Sequence, residues 1–277
     1  MSKQRASNNT SLKYLKREGL EQYIDFEASS QKFQSKRQEM MASVDPTNRI
    51  PFPPDPVDLH RLHSAIRMRK VTTILEFGVG YSTLVMADAI EKNRQAYGKY
   101  IGTHLRRNNP FEVHAVDADA YFIEKTQLLL PKHLREIVHF HHSEVSVVNV
   151  DGRVATYYEQ LPNISPDFIY LDGPDQFVAS GDVRGISTKH PDRMPMSADI
   201  LAFEHFLTPG TIIIIDGRTA NARYLIANLQ RRWVHNHDEK SDIHTLELRE
   251  SPLGPYNRAQ IEFCLGTDWL QDLEQPQ

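Results

Sequence analysis

The chain has 277 residues, 40% hydrophobic and 25% charged, with a formal net charge of −4, a composition ordinary for a globular protein. That length allows one large α/β domain, or a domain of about 200 residues with an appendage, and the acidic balance argues against nucleic acid as the partner. Cys264 is the only cysteine and forbids an internal disulfide; with no run long enough to span a membrane and no apolar leader at the start, the expected setting is cytoplasmic, without a membrane partner.

Residues 1–55 read as a polar N-terminal arm and connector, and residues 56–277 as the folded domain. In the arm Leu12, Leu15, Leu20, Tyr23, Ile24 and Phe26 are sparse; Leu20, Tyr23 and Ile24 have helical spacing, and the expectation is a partly ordered arm. "IPFPPDP", from Ile50 to Pro56, is a stiff extended connector, because consecutive prolines prevent both helix and ladder.

From Val57 helices and strands alternate. "VDLHRLHSAIRMR" predicts a helix with Leu59, Leu62, Ile66 and Met68 near one face. "VTTILEF" is a strand, "STLVMADAIEK" a helix, "EVHAVDA" a strand and "AYFIEKTQLLL" a helix. "EIVHFHH" and "PDFIYLDG" follow as strands, then "SADILAFEHFL" as a helix, "GTIIIIDG" as a strand and "ANARYLIANLQRR" as the last long helix. "NRQAYGKYIGTHLRRNNPF", between the first helix–strand pair, reads as a polar surface insertion. In the tail "DIHTLELRE" and "RAQIEFCLG" alternate, predicting two strands of an antiparallel hairpin, with Cys264 as a buried thiol in the second. The sum is an α/β fold: a doubly wound, mostly parallel seven-stranded sheet with an antiparallel C-terminal hairpin.

Ligands of such sheets bind beyond the carboxyl ends of the strands, and four of those ends are acidic: Glu76, Asp117, Asp172 and Asp216. After Glu76 comes "GVGYS", in which Gly78 and Gly80 permit a tight turn and close approach of a ligand, while Ser82 is placed to cap a helix beginning at Thr83. The third glycine of a dinucleotide fingerprint is missing. Two unit charges 4 Å apart interact by roughly 4 kcal/mol at an effective dielectric near 20, so a Glu76 facing this loop opposes a pyrophosphate and favours a ligand carrying an ammonium and a sulfonium. Asp117, at the end of the second strand, is suited to ribose hydroxyls. Ser143 and Glu144, after the third strand, are in position for an adenine edge.

In order, "ILEFGVGYST", "VHAVDAD", "FIYLDGPD" and "FLTPGTIIIID" resemble the motifs of class I S-adenosylmethionine-dependent methyltransferases, a Rossmann-like family, over about Val57 to Gly266. The resemblance implies a methyl transfer using S-adenosylmethionine, with Glu76, Gly78 and Gly80 along the methionine portion, Asp117 at the ribose and Ser143 with Glu144 at the adenine. Asp172 would lie beside the methyl group and acceptor. "LDGPD" and "PGTIIIIDG" are similar to small-molecule O-methyltransferases of the catechol type, which hold Mg²⁺ through an Asp after strand four and an Asp-Asn pair after strand five. Asp172 and Asp216 match, but Gly217 stands where the Asn would be and Asn221 would project elsewhere, so a divalent metal is not favoured.

The segment Gly173–Met196 is too long for an ordinary connection and reads as a lid over the acceptor, with Asp175, Arg184, His190 and Arg193 as its polar groups. Asp172 and Asp175 are the candidate bases for an acceptor hydroxyl. Arg218 and Arg223 are placed for an acidic acceptor. His139 and His141 share a strand face, with no further ligand at zinc-like spacing. The expected activity is methylation of a small-molecule or sugar hydroxyl; the alternatives are an NAD-dependent oxidoreductase and a non-catalytic cofactor-binding module. A homo-oligomer is allowed.

Overall fold

The computed structural model describes residues 2–29, 31 and 52–274; Ile50 and Pro51 of the proline-rich connector lie outside them. The central sheet has seven strands in the order β3-β2-β1-β6-β7-β9-β8. They are β1 (Thr73–Phe77), β2 (Glu112–Asp117), β3 (Val138–His142), β6 (Phe168–Leu171), β7 (Ile212–Asp216), β8 (Trp233–Asp238) and β9 (Ile243–Leu248). The first five pair in parallel, and β9 runs antiparallel to both β7 and β8. The doubly wound, mostly parallel sheet that the alternating pattern predicts is therefore present.

Strand period decides which helices each face receives. Ile74, Val113, Phe168, Tyr170 and Ile214 point into one core with α1 (Ser2–Arg17), α2 (Pro56–Met68) and α3 (Tyr81–His104). Their neighbours Leu75, Phe77, Val116, Ile169, Leu171, Ile213 and Ile215 point into the other, with α5 (Asp199–Phe203) and α6 (Thr219–Asn228). A fourth helix, α4 (Ala120–Leu129), connects β2 to β3. Helix α2 begins as its sequence directs: Asp55 accepts from the Val57 amide, and Pro56 occupies the first turn, where no amide proton is needed. Leu59, Leu62 and Ile66 are buried on it, but Met68 is exposed, because the last turn passes beyond the core.

Two expectations about the C-terminal tail are corrected. The C-terminal hairpin is β8–β9, so "DIHTLELRE" is a strand whose partner is Trp233–Asp238. "RAQIEFCLG" is instead helical, within α7 (Pro255–Cys264), followed by α8 (Thr267–Glu274). Pro255 in its first turn and the buried positions Asn257, Ile261 and Cys264, four and three apart, carry the helical period. Cys264 is buried as expected, its thiol pushed up to about 12 by desolvation. The insertion Asn93–Phe111 is mostly helix: α3 runs on to His104, with Ile101 buried. A separate antiparallel pair, β4 (Val145–Val150) with β5 (Arg153–Tyr158), was not anticipated.

Within the described part of the N-terminal arm, three of the apolar residues pack into the core. Leu15 and Leu20 have no exposed surface and Ile24 is buried. Tyr14 Oη lies 2.8 Å from His63 Nδ1, His63 Nε2 lies 2.9 Å from Asp88, and Lys92 joins Asp88 to the Glu18 carbonyl. This buried chain fastens α1 to α2 and α3. Among the described residues no helix is long and apolar enough to cross a membrane.

Candidate functional site

The parallel strands bring β2, β1, β6 and β7 side by side, so their acidic ends meet on one rim. Strand β1 leaves the sheet at Gly78, whose φ of +99° suits glycine and whose amide donates to the Val116 carbonyl at 2.8 Å. β6 leaves at Asp172, whose amide donates to the Phe77 carbonyl at 3.0 Å. The two exits touch: a Cβ on Gly78 would stand 3.2 Å from the Gly173 nitrogen. Gly80 differs, because its extended backbone meets nothing within 4 Å of an added Cβ. That side of the turn is open.

Glu76 is almost completely buried beneath the turn. Its two carboxylate oxygens accept from Ser82 Oγ at 2.5 Å and Thr83 Oγ1 at 2.6 Å. Helix α3 starts at Tyr81, so Ser82 does not cap it as expected; its hydroxyl is given to Glu76, and Thr83 Oγ1 accepts from the Gly80 amide at 3.0 Å. A helix N-terminus attracts anions, and here the chain's own carboxylate occupies the first-turn hydroxyls. Desolvation raises Glu76 to about 8 against those two hydrogen bonds, and the charges of Asp172 and Asp117 add to the rise.

Asp117 is raised to about 6, first by desolvation, while amides of Asp119, Val79 and Ala118 oppose the shift. It is thus joined to the glycine turn through Val79. Asp172 keeps an open path to solvent, yet surrounding protein raises it to about 7 by desolvation, with Arg218 opposing and Asp216, Asp58 and Asp117 adding. Asp172 is thus reachable from solvent while crowded by the other acidic groups of the rim and by Arg218. Asp216 accepts from Tyr170 Oη at 2.7 Å and is itself raised, desolvation again leading.

Sequence reasoning missed the contribution of α2. Its Asp58, paired with Arg61 at 2.5 Å, is raised to about 6 by desolvation and then by Asp216. An acidic residue in the first turn of a helix is an ordinary sight, so only the packing reveals that this one faces the rim. Arg218, named above for an acidic acceptor, is 8% exposed and donates through Nη2 to the Pro174 carbonyl at 2.5 Å, while its Nη1 is buried without a partner among the described residues.

Other sequence candidates are held by the chain itself. The Ser143 hydroxyl accepts from the Gln160 amide at 2.8 Å, whereas Glu144 is exposed. Asp175 is exposed and accepts from the Phe177 amide at 2.8 Å, an Asx turn that points it into its own loop. The segment Gly173–Met196 is tied to the β4–β5 pair, through Ser180 between Val145 and Val147 and through Met196 to Thr156. Within it Thr188 donates to the Gln176 carbonyl, and Arg193 to that of Ser187. His190 accepts from the Asp192 amide and lies half-exposed.

A three-oxygen Mg²⁺ centre does not fit these residues. Gly217 has no ligand, and fully buried Asn221 spends its amide on Ser197, accepting from N at 2.9 Å and donating to O at 2.8 Å.

No protein-family model matches the chain, and no curated protein does. Among solved structures it is similar to the O-methyltransferase TomG from Streptomyces achromogenes in complex with SAM, at 16% identity over 81% of this chain and 90% of that one, with a TM-score of 0.38. It is similar to an O-methyltransferase from Bacillus cereus in complex with SAH, at 15% identity over 78% and 90%, TM-score 0.38. It is also similar to CalS11, a TDP-rhamnose 3'-O-methyltransferase, at 15% identity over 80% and 94%, TM-score 0.42.

Proposed function

We propose that this chain is an S-adenosylmethionine-dependent methyltransferase acting at a hydroxyl of a small-molecule or sugar acceptor. The observation that carries the reading is the burial of Glu76 under the Gly78–Gly80 turn, with Asp117 and Asp172 close enough to raise its proton affinity. Carboxylates that lose water and repel one another are stabilised by a cation and destabilised further by a diphosphate. A sulfonium nucleoside satisfies that demand.

In this reading the open side of Gly80 admits the methionine portion, and Asp117 accepts from the ribose hydroxyls. Glu144 and the backbone at Ser143 border the adenine, since the Ser143 hydroxyl is already engaged. When bound, the cofactor supplies an electrophilic methyl carbon for in-line displacement. Asp172 takes the acceptor's proton: a carboxylate near 7 balances availability as a base against proton affinity at neutral pH. Asp175 ranks behind it because its carboxylate is turned into the loop. Holding the acceptor oxygen in line is the larger part of the rate gain, and Arg218 beside Asp172 provides a fixed positive charge for an acceptor oxygen as it loses its proton.

Calorimetry with S-adenosylmethionine, S-adenosylhomocysteine and NAD on wild type and Asp117→Ala tests the reading. Micromolar-class binding of the first two, weakened at least tenfold in the variant, is expected. Tight NAD binding would overturn it, and cofactor binding without turnover on a panel of hydroxylated acceptors would leave only a binding module.

A further inference from the structure

We propose that Glu112, His114 and His139 form a site for a zinc-class divalent cation on the β2–β3 edge of the sheet, separate from the glycine turn. Sequence spacing hides it, because His114 and His139 are 25 residues apart. Parallel pairing places His114 directly beside His139, and Glu112, two residues earlier on β2, lies on the same face.

The ligand atoms of the three side chains all lie within 4.8 Å of one another. His114 Nε2 is 2.9 Å from Glu112 Oε2, and His139 Nε2 is 3.7 Å from the same oxygen. Tetrahedral Zn²⁺ with bonds of about 2.0–2.1 Å sets its ligand atoms about 3.3 Å apart, a value the two distances bracket. The His139 side chain is 43% exposed, against 28% for Glu112, so His139 has the room to rotate by the remaining few tenths of an ångström.

Two further observations point the same way. His139 Nε2 is buried and has no hydrogen-bond partner among the described residues, a cost that a cation at this point removes. The ligands are also braced from outside: His114 Nδ1 is 3.1 Å from His141 Nε2, and Asn109 Nδ2 donates to Glu112 Oε2 at 2.9 Å. A metal-bound imidazole characteristically engages a second group through its other nitrogen. Two imidazoles and one carboxylate suit zinc and leave a fourth position for water.

The test is calorimetric titration of Zn²⁺ into the full chain after dialysis against a chelator, with Co²⁺ absorption as a reporter of tetrahedral geometry. His139→Ala and Glu112→Gln change accessible side chains, and thermal melts establish that both variants fold. A second histidine group, His237, Asp242 and His244 on the β8–β9 hairpin, makes His237→Ala the control. Saturable Zn²⁺ binding that loses one equivalent, or weakens at least tenfold, in His139→Ala and Glu112→Gln but persists in His237→Ala is expected. No saturable binding, binding unchanged in His139→Ala, or binding lost only in His237→Ala overturns the proposal.

Discussion

Gly173 lies with its backbone against that of Gly78: a Cβ added at Gly173 would stand 2.7 Å from the Gly78 nitrogen and 2.9 Å from the Tyr158 hydroxyl oxygen. The chain exits of β1 and β6 are packed to the limit that hydrogen allows. Gly173→Ala forces the two turns apart, and overpacking of this kind costs about 1–3 kcal/mol. The expected result is a lower melting temperature together with weakened S-adenosylmethionine binding, read by thermal melts and calorimetry.

Gly80 gives the opposite expectation. Among the described residues nothing lies within 4 Å of its added Cβ, and its extended φ of 164° strains no side chain. Gly80→Ala should leave the melting temperature of the free protein unchanged while weakening S-adenosylmethionine at least tenfold. Unchanged affinity would mean that the open side of the turn is not where the cofactor lies.

Asp172→Asn tests the base. General-base contributions are typically 10²–10⁴-fold, so single-turnover methyl transfer should slow within that range, whereas affinity for the uncharged thioether of S-adenosylhomocysteine should change less than tenfold. In wild type the rate should rise with pH through about 7, where Asp172 gives up its proton.

The raised carboxylates also set a pH dependence of stability. Glu76 goes from 4.5 to about 8, and Asp172 and Asp199 from 3.8 to about 7. In each case the folded state holds a proton that the unfolded chain releases, so this stability is complete below the ordinary values and is lost as pH climbs through 7 to 8. Asp88 and Glu112 are lowered despite burial, by hydrogen bonds from His63 and Lys92 and from His114 and Asn109 respectively; their stability is present at neutral pH and fades under acid. The melting temperature of the ligand-free protein should therefore fall between about pH 5 and 8.5, less steeply in Glu76→Gln. Added S-adenosylmethionine should reduce the slope, and its affinity should increase over the same window.

Leu15→Ala separates a structural N-terminal helix from a dispensable arm. Leu15 has no exposed surface, and truncation of a buried leucine costs about 2–5 kcal/mol. A loss of that size in denaturant unfolding is expected. A loss under about 0.5 kcal/mol, the range of surface substitutions, would show that α1 adds little to the core.

Legibility in the sequence followed the physical range of each signal. β1, β2, β6 and β7 were readable because apolar runs bounded by carboxylates and glycines are local patterns. β8 was not: "WVHNHD" is a largely exposed strand, so its period carries little apolar contrast. The residues of α7 read as a strand in sequence because ten residues allow two periodicities, and only contact with the core chooses between them. At the rim Glu76, Asp117, Asp172 and Asp216 could be listed from their strand ends, but Asp58 and the buried setting of Arg218 could not.

The order of residues by itself determined the class of fold and the acidity of its rim, since strand period, turn-forming glycines and terminal carboxylates are properties of short segments. Tertiary packing decided the rest: that Glu76 is dry and held by two hydroxyls, that Gly173 must remain small, and that His114 meets His139. Desolvation and close approach depend on atoms from distant parts of the chain, and no local pattern contains them.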